Sequence, residues 1–105
     1  MVLFGQYSLT AGAVALSDAT ILGAVLPSGI TKVKQLIIRN ATGAANPIYG
    51  GKSNVTNAPA NAGFQIAAAS EFTLGPFEAY YLDLRDIFIV GTVNAANIAY
   101  ITVVI

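Results

Sequence analysis

The sequence predicts an all-β protein: a single antiparallel β-sandwich, jelly-roll-like, with an extended N-terminal arm. Short apolar runs recur along the chain, and turn residues separate them at intervals typical of a sandwich, about every 8–12 positions. Alanine is abundant, but clusters such as Ala67-Ala68-Ala69 lack the spacing that an amphipathic helix requires. The chain of 105 residues fits one domain with one core. We therefore expect no helix longer than about two turns.

The elements are expected in a simple order along the chain. Residues 1–30 are expected to form edge strands or an arm that ends in a turn at Pro27-Ser28-Gly29, and residues 31–105 form the main sandwich. Strands are expected over residues 30–40, 47–50, 64–68, 71–74, 79–82, 87–92 and 98–105. Turns or loops are expected over residues 41–46, 52–63, 75–76 and 94–97.

The last two predicted strands are apolar on both alternating faces. Residues 87–90 read Ile-Phe-Ile-Val, and residues 98–105 are almost as apolar. A strand buried on both faces needs a packed layer on each side. One layer is the facing sheet of the sandwich, and the other is expected from the N-terminal arm or from another subunit.

The composition is unusually poor in charge. Hydrophobic residues make up 55% of the chain and charged residues 10%, against about 25% charged in an average soluble protein. A small monomer normally covers its surface with charge. We therefore expect much of the outside to be buried in a homo-oligomer. The formal net charge of zero argues against nucleic acid as a partner, because no basic excess is present to neutralise phosphates.

Several other classes of site are not expected. The uncharged N-terminal run, residues 1–17, is interrupted by polar residues and lacks a basic start, so we predict neither a membrane span nor a signal peptide. The chain has no cysteine and no histidine, which excludes disulfides, thiolate zinc sites and imidazole metal ligands. We expect no cofactor. Two glycosylation sequons, at Asn40 and Asn54, are interpreted as chance matches.

The stretch Gly51-Lys52-Ser53 resembles the end of a phosphate-binding P-loop. Asn46 stands where the first glycine of that motif is required, and Pro47 removes one of the N–H donors that would hold phosphate. No helical pattern follows. The stretch is therefore predicted to be a short strand that enters a glycine turn.

Asp83 and Asp86, on either side of Arg85, are a candidate pair of carboxylates for chemistry. Glycosidases place their two carboxylates on separate strands or loops, and two carboxylates at this spacing are a weak calcium signal. A tight polar turn, in which one aspartate accepts backbone N–H bonds and pairs with Arg85, is favoured. We expect no catalytic residues, and the protein is predicted not to be an enzyme.

Two groups of side chains are candidates for contacts with a partner. Tyr80-Tyr81 could stack on a sugar or a base, but neighbours on a strand face opposite ways, so one ring is expected in the core and the other at a rim or interface. Lys32, Lys34 and Arg39 are expected to be solvated or to form intersubunit salt bridges. The complete set of candidate interface residues is Phe4, Tyr7, Lys32, Lys34, Arg39, Tyr49, Lys52, Tyr81 and Arg85.

Residues from about 33 to 105 resemble a known group of proteins. The resemblance is carried by four stretches: Ile48-Tyr49-Gly50-Gly51 with Ser53-Asn54-Val55-Thr56, Gly63-Phe64, Leu82-x-Leu84-x-Asp86-Ile87-Phe88-Ile89-Val90-Gly91, and Ile98-x-Tyr100-Ile101. This succession resembles small β-sandwich virion proteins of tailed bacteriophages. The chain departs from the pattern at residues 67–70, where Ala-Ala-Ala-Ser replaces an expected Pro-Gly turn.

The resemblance implies a non-enzymatic particle component. The commonest role of such a domain is to decorate or cement the capsid at capsomer junctions, usually as a homotrimer bound to the major capsid protein. The expected location is then the capsid surface of the virion, after synthesis in the host cytoplasm. A collar or tail component and a host-surface, glycan-binding sandwich are the alternatives.

Overall fold

The fold is mostly β and antiparallel. A computed structural model describes residues 2–9, 12–41, 46–56, 63–91 and 97–105. Within these ranges the only helical segments are two 3₁₀ helices of three residues each, Leu22–Ala24 and Leu84–Asp86. The expectation of no helix longer than about two turns is confirmed for the described residues.

Ten strands are present in the described part of the chain. They are β1 (Val2–Leu9), β2 (Val14–Ala15), β3 (Lys32–Val33), β4 (Gln35–Asn40), β5 (Ile48–Gly51), β6 (Phe64–Ile66), β7 (Glu71–Leu74), β8 (Leu82–Asp83), β9 (Phe88–Gly91) and β10 (Asn97–Val104). The first sheet has the order β1-β10-β4-β7, and the second sheet has the order β2-β9-β5-β6. Strands β3 and β8 form a separate two-stranded ribbon.

The strand pairs are nested along the chain. Strand β5 pairs with β6, β4 with β7, β3 with β8, β2 with β9 and β1 with β10, all antiparallel. Two further antiparallel pairings, β4 with β10 and β5 with β9, complete the two four-stranded sheets. The chain therefore runs as one long double-stranded ribbon, in which β5–β6 and β2–β9 belong to the second sheet, β4–β7 and β1–β10 belong to the first, and β3–β8 lies between them in the order of nesting.

Both sheets contribute side chains to one hydrophobic core. The alternation of a strand sends every second side chain to the same face, so each sheet buries one face here. The buried members of this core are Leu9, Leu16, Ile21, Leu22, Val33, Leu36, Ile38, Ile48, Ile66, Leu84, Ile89, Ala99, Ile101 and Val103. The first sheet thus has an inner face, which packs on this core, and an outer face.

A second, smaller cluster covers the other face of the second sheet. Tyr49 of β5 and Val90 of β9 are buried there beneath Val55, which follows the turn after β5. Strand β9 is therefore buried on both faces, as its sequence predicted. The additional layer comes from within this chain: it contains Val55, and Ala13 of the N-terminal segment, one of the two expected sources, packs against it.

Strand β10 differs from that expectation. Its inner-face residues, Ala99, Ile101 and Val103, are fully buried, but Tyr100 on the outer face is 44% exposed. Within one chain the outer face of β10 is therefore not fully covered, and its burial by another subunit stays a prediction.

The predicted strand over residues 30–40 is wrong as a single element, because the chain bends at Lys34. The Lys34 N–H donates to Val104 O at 2.7 Å, and its carbonyl accepts from Phe77 N at 3.0 Å. These two bonds separate β3 from β4. The strand predicted over residues 79–82 is shorter than expected, since only Leu82–Asp83 is extended in a ladder.

The predicted turns are observed where the structure describes them. Ile30 N donates to Pro27 O at 3.0 Å, with Gly29 at a φ of 80°. In the segment 67–70, Ser70 N donates to Ala67 O at 3.0 Å and Ala69 has a φ of 59°, so a turn forms there without Pro-Gly. Parts of the predicted arm, of the loops, of the last turn and of one strand end lie outside the described residues. They are residues 1, 10–11, 42–45, 57–62 and 92–96.

Candidate interaction surface

The outer face of the first sheet exposes apolar side chains from its first two strands. In the register between β1 and β10, Val2 lies opposite Val104, Phe4 opposite Thr102 and Gln6 opposite Tyr100. Phe4 is 77% exposed and Val2 is 54% exposed. We call the outer face of β1 and β10 the β1–β10 face. It presents several large apolar groups to solvent side by side. Such contiguous apolar patches are uncommon on folded proteins and often mark an interaction site.

The β1–β10 face carries no charge. Neither Val2–Leu9 nor Asn97–Val104 contains a charged residue. The nearest charged positions in the same sheet are Arg39 on β4 and Glu71 on β7, which lie opposite each other in the register. One half of the outer face is therefore uncharged, and the other half carries a basic and an acidic residue.

A shallow depression of about 290 Å³ lies on this face. Its lining consists of Phe4, Gly5, Gln6, Tyr100, Ile101 and Thr102. The depression is open, and the groups that line it are apolar side chains, an amide and hydroxyls. It can accept a side chain of another protein, but it contains no nucleophile with an adjacent base and hence no catalytic arrangement.

Tyr7 lies on the inner side of the same strand. Its side chain packs against the main core, and its ring occupies the space that a Cβ on Gly5 would need. Burial raises the pKa of the Tyr7 hydroxyl above its usual value. The Tyr7 oxygen is buried without a hydrogen-bond partner. This candidate is therefore part of the core packing rather than of the exposed face.

A second exposed patch is aromatic. The Phe77 and Tyr80 rings stack with centroids 4.6 Å apart, and Lys34 Nζ lies 5.9 Å from the centre of the Tyr81 ring. Tyr80 and Tyr81 are 62% and 53% exposed, so the expectation that one of them enters the core is wrong. Residues 79–81 are not in a strand, and the alternation that sends neighbouring side chains to opposite faces does not apply.

The polar turn around Arg85 is a structural motif. Asp83 Oδ1 accepts from the Arg85 backbone N–H at 3.0 Å, and Arg85 Nη2 donates to Asp83 Oδ2 at 2.7 Å. These bonds, from the Arg85 side chain first and its backbone second, lower the pKa of Asp83 to about 2. Lys32 lies opposite Asp83 in the ribbon of β3 and β8. The interpretation as a capped polar turn is confirmed, with Asp83 as the acceptor.

The remaining candidates lie apart from these patches. Lys52 is exposed in a turn closed by the bond from Val55 N to Lys52 O at 2.9 Å, and the described residues 53–56 that follow it are not helical. Lys52 contributes to an open depression of about 320 Å³, together with Ser53, Asp86 and Phe88. Tyr49 is 6% exposed and offers no surface to a partner.

The two sequons differ in accessibility. Asn40 is fully buried, and its Nδ2 donates to Asn46 O at 3.0 Å and to Ile66 O at 3.1 Å. The amide nitrogen that glycosylation would modify is therefore occupied in the folded chain. Asn54 is exposed.

The structure brings the sequence-derived candidates together only in part. Phe4 lies in the β1–β10 face, whereas Lys34 and Tyr81 form part of the aromatic patch. Arg85 belongs to the polar turn, and Lys32 lies opposite Asp83 of that turn. Tyr100 was missed, because both faces of its strand are apolar in sequence. Only the register with β1 shows that its ring points to the exposed side.

The chain matches no family model, no curated protein and no solved structure. Among the described residues, no helix is long and apolar enough to cross a membrane. The same residues contain no cluster of three or more acidic side chains that could hold a metal ion.

Proposed function

We propose that the protein is a non-enzymatic structural component of a bacteriophage particle, a decoration or cement protein that binds the major capsid protein at capsomer junctions. The sequence resemblance over residues 33–105 motivates the proposal. The observation that carries it in the structure is the uncharged β1–β10 face, with Phe4 77% exposed. Exposure of such a face to water is unfavourable, and the free energy falls when another protein covers it.

The strand pairing supports a jelly-roll-like sandwich for this protein. A jelly roll is a long antiparallel ribbon wrapped into two facing sheets, and it is a common architecture of viral capsid domains. The nested pairs, from β5 with β6 out to β1 with β10, have the connectivity of such a ribbon. The shared core between the two sheets supports the sandwich packing.

The proposed working unit is a homotrimer. Cyclic symmetry allows identical patches on each copy to meet a neighbour without leaving an open contact. The low charge of the chain favours such burial, because few ions would need to be desolvated at the contacts. Because residues 2–9 form strand β1 of the first sheet, the contacts of the proposed trimer come from the sheets rather than from a free arm.

The location on the particle is tested by labelling. Gold-labelled antibodies against the chain, applied to purified particles, should mark the whole shell if the protein is a cement. Marking confined to the neck or tail would favour the collar or tail alternative. Particles that lack the protein should release their genome at a lower temperature than complete particles. If such particles are as robust as the complete ones, the cement proposal is wrong.

Point substitutions test the β1–β10 face better than a deletion does. Strand β1 completes the first sheet and contributes Leu9 to the core, so deletion of residues 2–9 would disturb the fold itself. Phe4→Glu should reduce binding to preformed shells by at least about tenfold, as expected when a charge enters a buried contact. Ser28→Glu, in an exposed turn, provides the control and should bind as the wild type does.

A host-surface, glycan-binding role is the second candidate, and the aromatic patch favours it. Exposed aromatic rings stack on the apolar faces of sugars, and the Phe77–Tyr80 stack holds the Tyr80 ring in place at the surface. Binding of the purified protein to glycan arrays tests this role. A glycan signal that Tyr80→Ala abolishes, and that Phe4→Glu leaves intact, would replace the capsid proposal.

A further inference from the structure

The outer edge of β1 is open in the described structure. Strand β1 lies at one end of the first sheet and pairs only with β10 among the described strands. The edge of a sheet presents unpaired N–H and C=O groups to any strand that approaches it. Natural proteins block such edges with charges, proline, bulges or shortness. Strand β1 has eight residues, Val2–Leu9, and contains no charged residue and no proline.

The other edge strands have such protection. Strand β7, at the opposite end of the first sheet, has four residues, begins with Glu71 and is followed by Gly75-Pro76. The edge strands of the second sheet, β2 and β6, have two and three residues. Strand β1 is therefore the only long, uncharged edge in the described part of the fold.

Hydrogen bonds within the first sheet determine which backbone groups of β1 point outward. Ile98 O accepts from Ala41 N at 3.1 Å and Val104 O accepts from Lys34 N at 2.7 Å, so the even-numbered residues of β10 bond toward β4. In an antiparallel sheet the N–H and C=O of successive residues alternate between the two neighbours. The odd-numbered residues of β10 therefore bond to β1.

The same alternation applies to β1. Its odd-numbered residues, such as Leu3 and Tyr7, lie opposite odd-numbered residues of β10 and bond to them. The backbone groups of Val2, Phe4, Gln6 and Ser8 consequently point away from the sheet. These four residues are also the ones whose side chains are exposed.

We propose that the edge of β1 pairs with β1 of a second copy of this chain, antiparallel and about a two-fold axis at Gly5. In this register Val2 lies opposite Ser8 of the second copy, and Phe4 lies opposite Gln6 of the second copy. It is the only two-fold register in which all four outward-pointing residues of each chain are paired. The two first sheets then form one continuous sheet of eight strands.

A second copy fits this edge because the contact is self-complementary. Two-fold pairing brings a strand against itself, which would be unfavourable for a charged strand, but β1 has no charge to repel its copy. The contact also covers the exposed Phe4 ring with the Gln6 side chain of the other copy. The pairing is a form of β-strand addition, in which main-chain hydrogen bonds supply affinity. It is inferred from the sheet alone and holds whether or not the protein belongs to a virion. A two-fold contact cannot close a trimer, so this pairing would join two of the proposed trimers to each other.

Cysteine cross-linking reads the register directly, because the natural chain contains no cysteine. Phe4→Cys and Gln6→Cys chains, mixed and oxidised, should form disulfide dimers, and so should Val2→Cys mixed with Ser8→Cys. Directly opposed residues lie about 4.5–5.5 Å apart between Cα atoms, within the range of a disulfide. Phe4→Cys alone, or Val2→Cys mixed with Gln6→Cys, should cross-link at least about tenfold more slowly, because those Cα atoms are more than about 7 Å apart.

Substitutions at Gln6 test the contact without cross-linking. Gln6→Pro removes an N–H that points outward, so it should abolish cross-linking between Val2→Cys and Ser8→Cys chains that carry it. Gln6→Lys should also weaken the cross-linking, and it disturbs folding less than proline because it keeps the backbone N–H. Gln6→Thr is the control and should retain the cross-linking. Circular dichroism checks that each variant is folded. Absence of both predicted disulfides in the folded purified protein, or equal yields from every pair, would overturn the proposal. The first result would indicate that the edge is unoccupied or receives a strand of a different protein.

Discussion

The rings of Phe64 and Phe72 stack with their centroids 4.0 Å apart and their planes 7° from parallel. Phe64 belongs to β6, the edge strand of the second sheet, and Phe72 belongs to β7, the edge strand of the first sheet. The stack therefore joins the two sheets where neither has a further strand. Both rings pack against the main core and are partly exposed, so the pair closes one side of the core against water.

This stack should contribute to stability as a coupled pair. Phe64→Leu and Phe72→Leu each keep an apolar side chain but remove the ring, so a double-mutant cycle isolates the ring contact. We expect a coupling free energy of unfolding of about 0.5–1.5 kcal/mol from urea denaturation. The control cycle pairs Phe64→Leu with Phe4→Leu, on the opposite edge of the first sheet, and should be additive within about 0.5 kcal/mol. Additive behaviour of the Phe64 and Phe72 variants would contradict the stacking argument.

The position of the Phe64 ring requires a glycine at residue 50. Gly50 lies opposite Phe64 in the pairing of β5 with β6, and a Cβ at Gly50 would overlap the Phe64 ring. Gly50→Ala should lower the free energy of unfolding by about 1–3 kcal/mol, the usual range for overpacking. Gly63→Ala is the matched control, because a Cβ there meets its nearest atoms at 3.4 Å. A Gly50→Ala protein as stable as Gly63→Ala would show that the ring can move aside.

Ile89 should be among the most sensitive core positions. It is 1% exposed at the centre of β9, a strand that packs on both its faces. Ile89→Ala should cost about 2–5 kcal/mol of unfolding free energy, as large-to-small core substitutions do. Val25→Ala, at a side chain that is 44% exposed, should change the stability by less than about 0.5 kcal/mol. Thermal and urea unfolding measure both.

The ion pair of Asp83 and Arg85 should make a small contribution to the free energy of unfolding, and this contribution should depend on pH. The folded-state pKa of Asp83 is lowered from 3.8 to about 2, so its stabilisation is present above about pH 4 and is lost as the pH falls through about 2. The effect is small because the Arg85 side chain is 63% exposed. Asp83→Asn keeps an oxygen that can cap Arg85 N. The difference between wild type and Asp83→Asn in urea midpoint should therefore shrink between about pH 4 and pH 2, and a constant difference would contradict the assignment.

Lys52 should have no role in nucleotide binding. It lies in a β-turn after β5, and the described residues 53–56 form no helix whose N-terminal N–H groups could hold phosphates. Isothermal titration with ATP and magnesium should show no saturable heat, for the wild type as for Lys52→Ala. Saturable binding that the substitution removes would overturn this prediction.

The sequence predicted those parts of the fold that local chemistry determines. The strands at residues 47–50 and 71–74 and the turn at Pro27 follow from short stretches with β-branched and aromatic residues and from the turn residues between them. The bend at Lys34 could not be predicted, because it depends on hydrogen bonds to Val104 and Phe77, which are distant in sequence. The turn at Ala69 could not be predicted either, since an alanine at a φ of 59° contradicts its own preference and is held by the surrounding structure.

The interaction surface could be predicted only in part, for a related reason. The low charge is visible in the composition, and Phe4 was among the candidate interface residues, but so was Tyr7, which packs against the core. The register of β1 with β10, which brings Phe4 and Tyr100 onto one face, is a property of strands at opposite ends of the sequence. The exposure of Tyr80 together with Tyr81 also depends on the absence of a strand at residues 79–81, which the apolar pattern did not indicate.

The nested order of the strand pairs has a consequence for how the chain acquires its structure. The innermost pair, β5 with β6, closes the shortest loop, whereas the outermost pair joins residues as distant as Val2 and Val104. Since the entropy lost on closing a loop rises with its length, folding should start at the inner pair and end with β1. On the ribosome, β1 and β4 are synthesised long before β10, the strand that lies between them. The uncharged β1 must therefore remain without its β10 partner until β10 itself has been synthesised, and this interval is when chaperone binding would matter most.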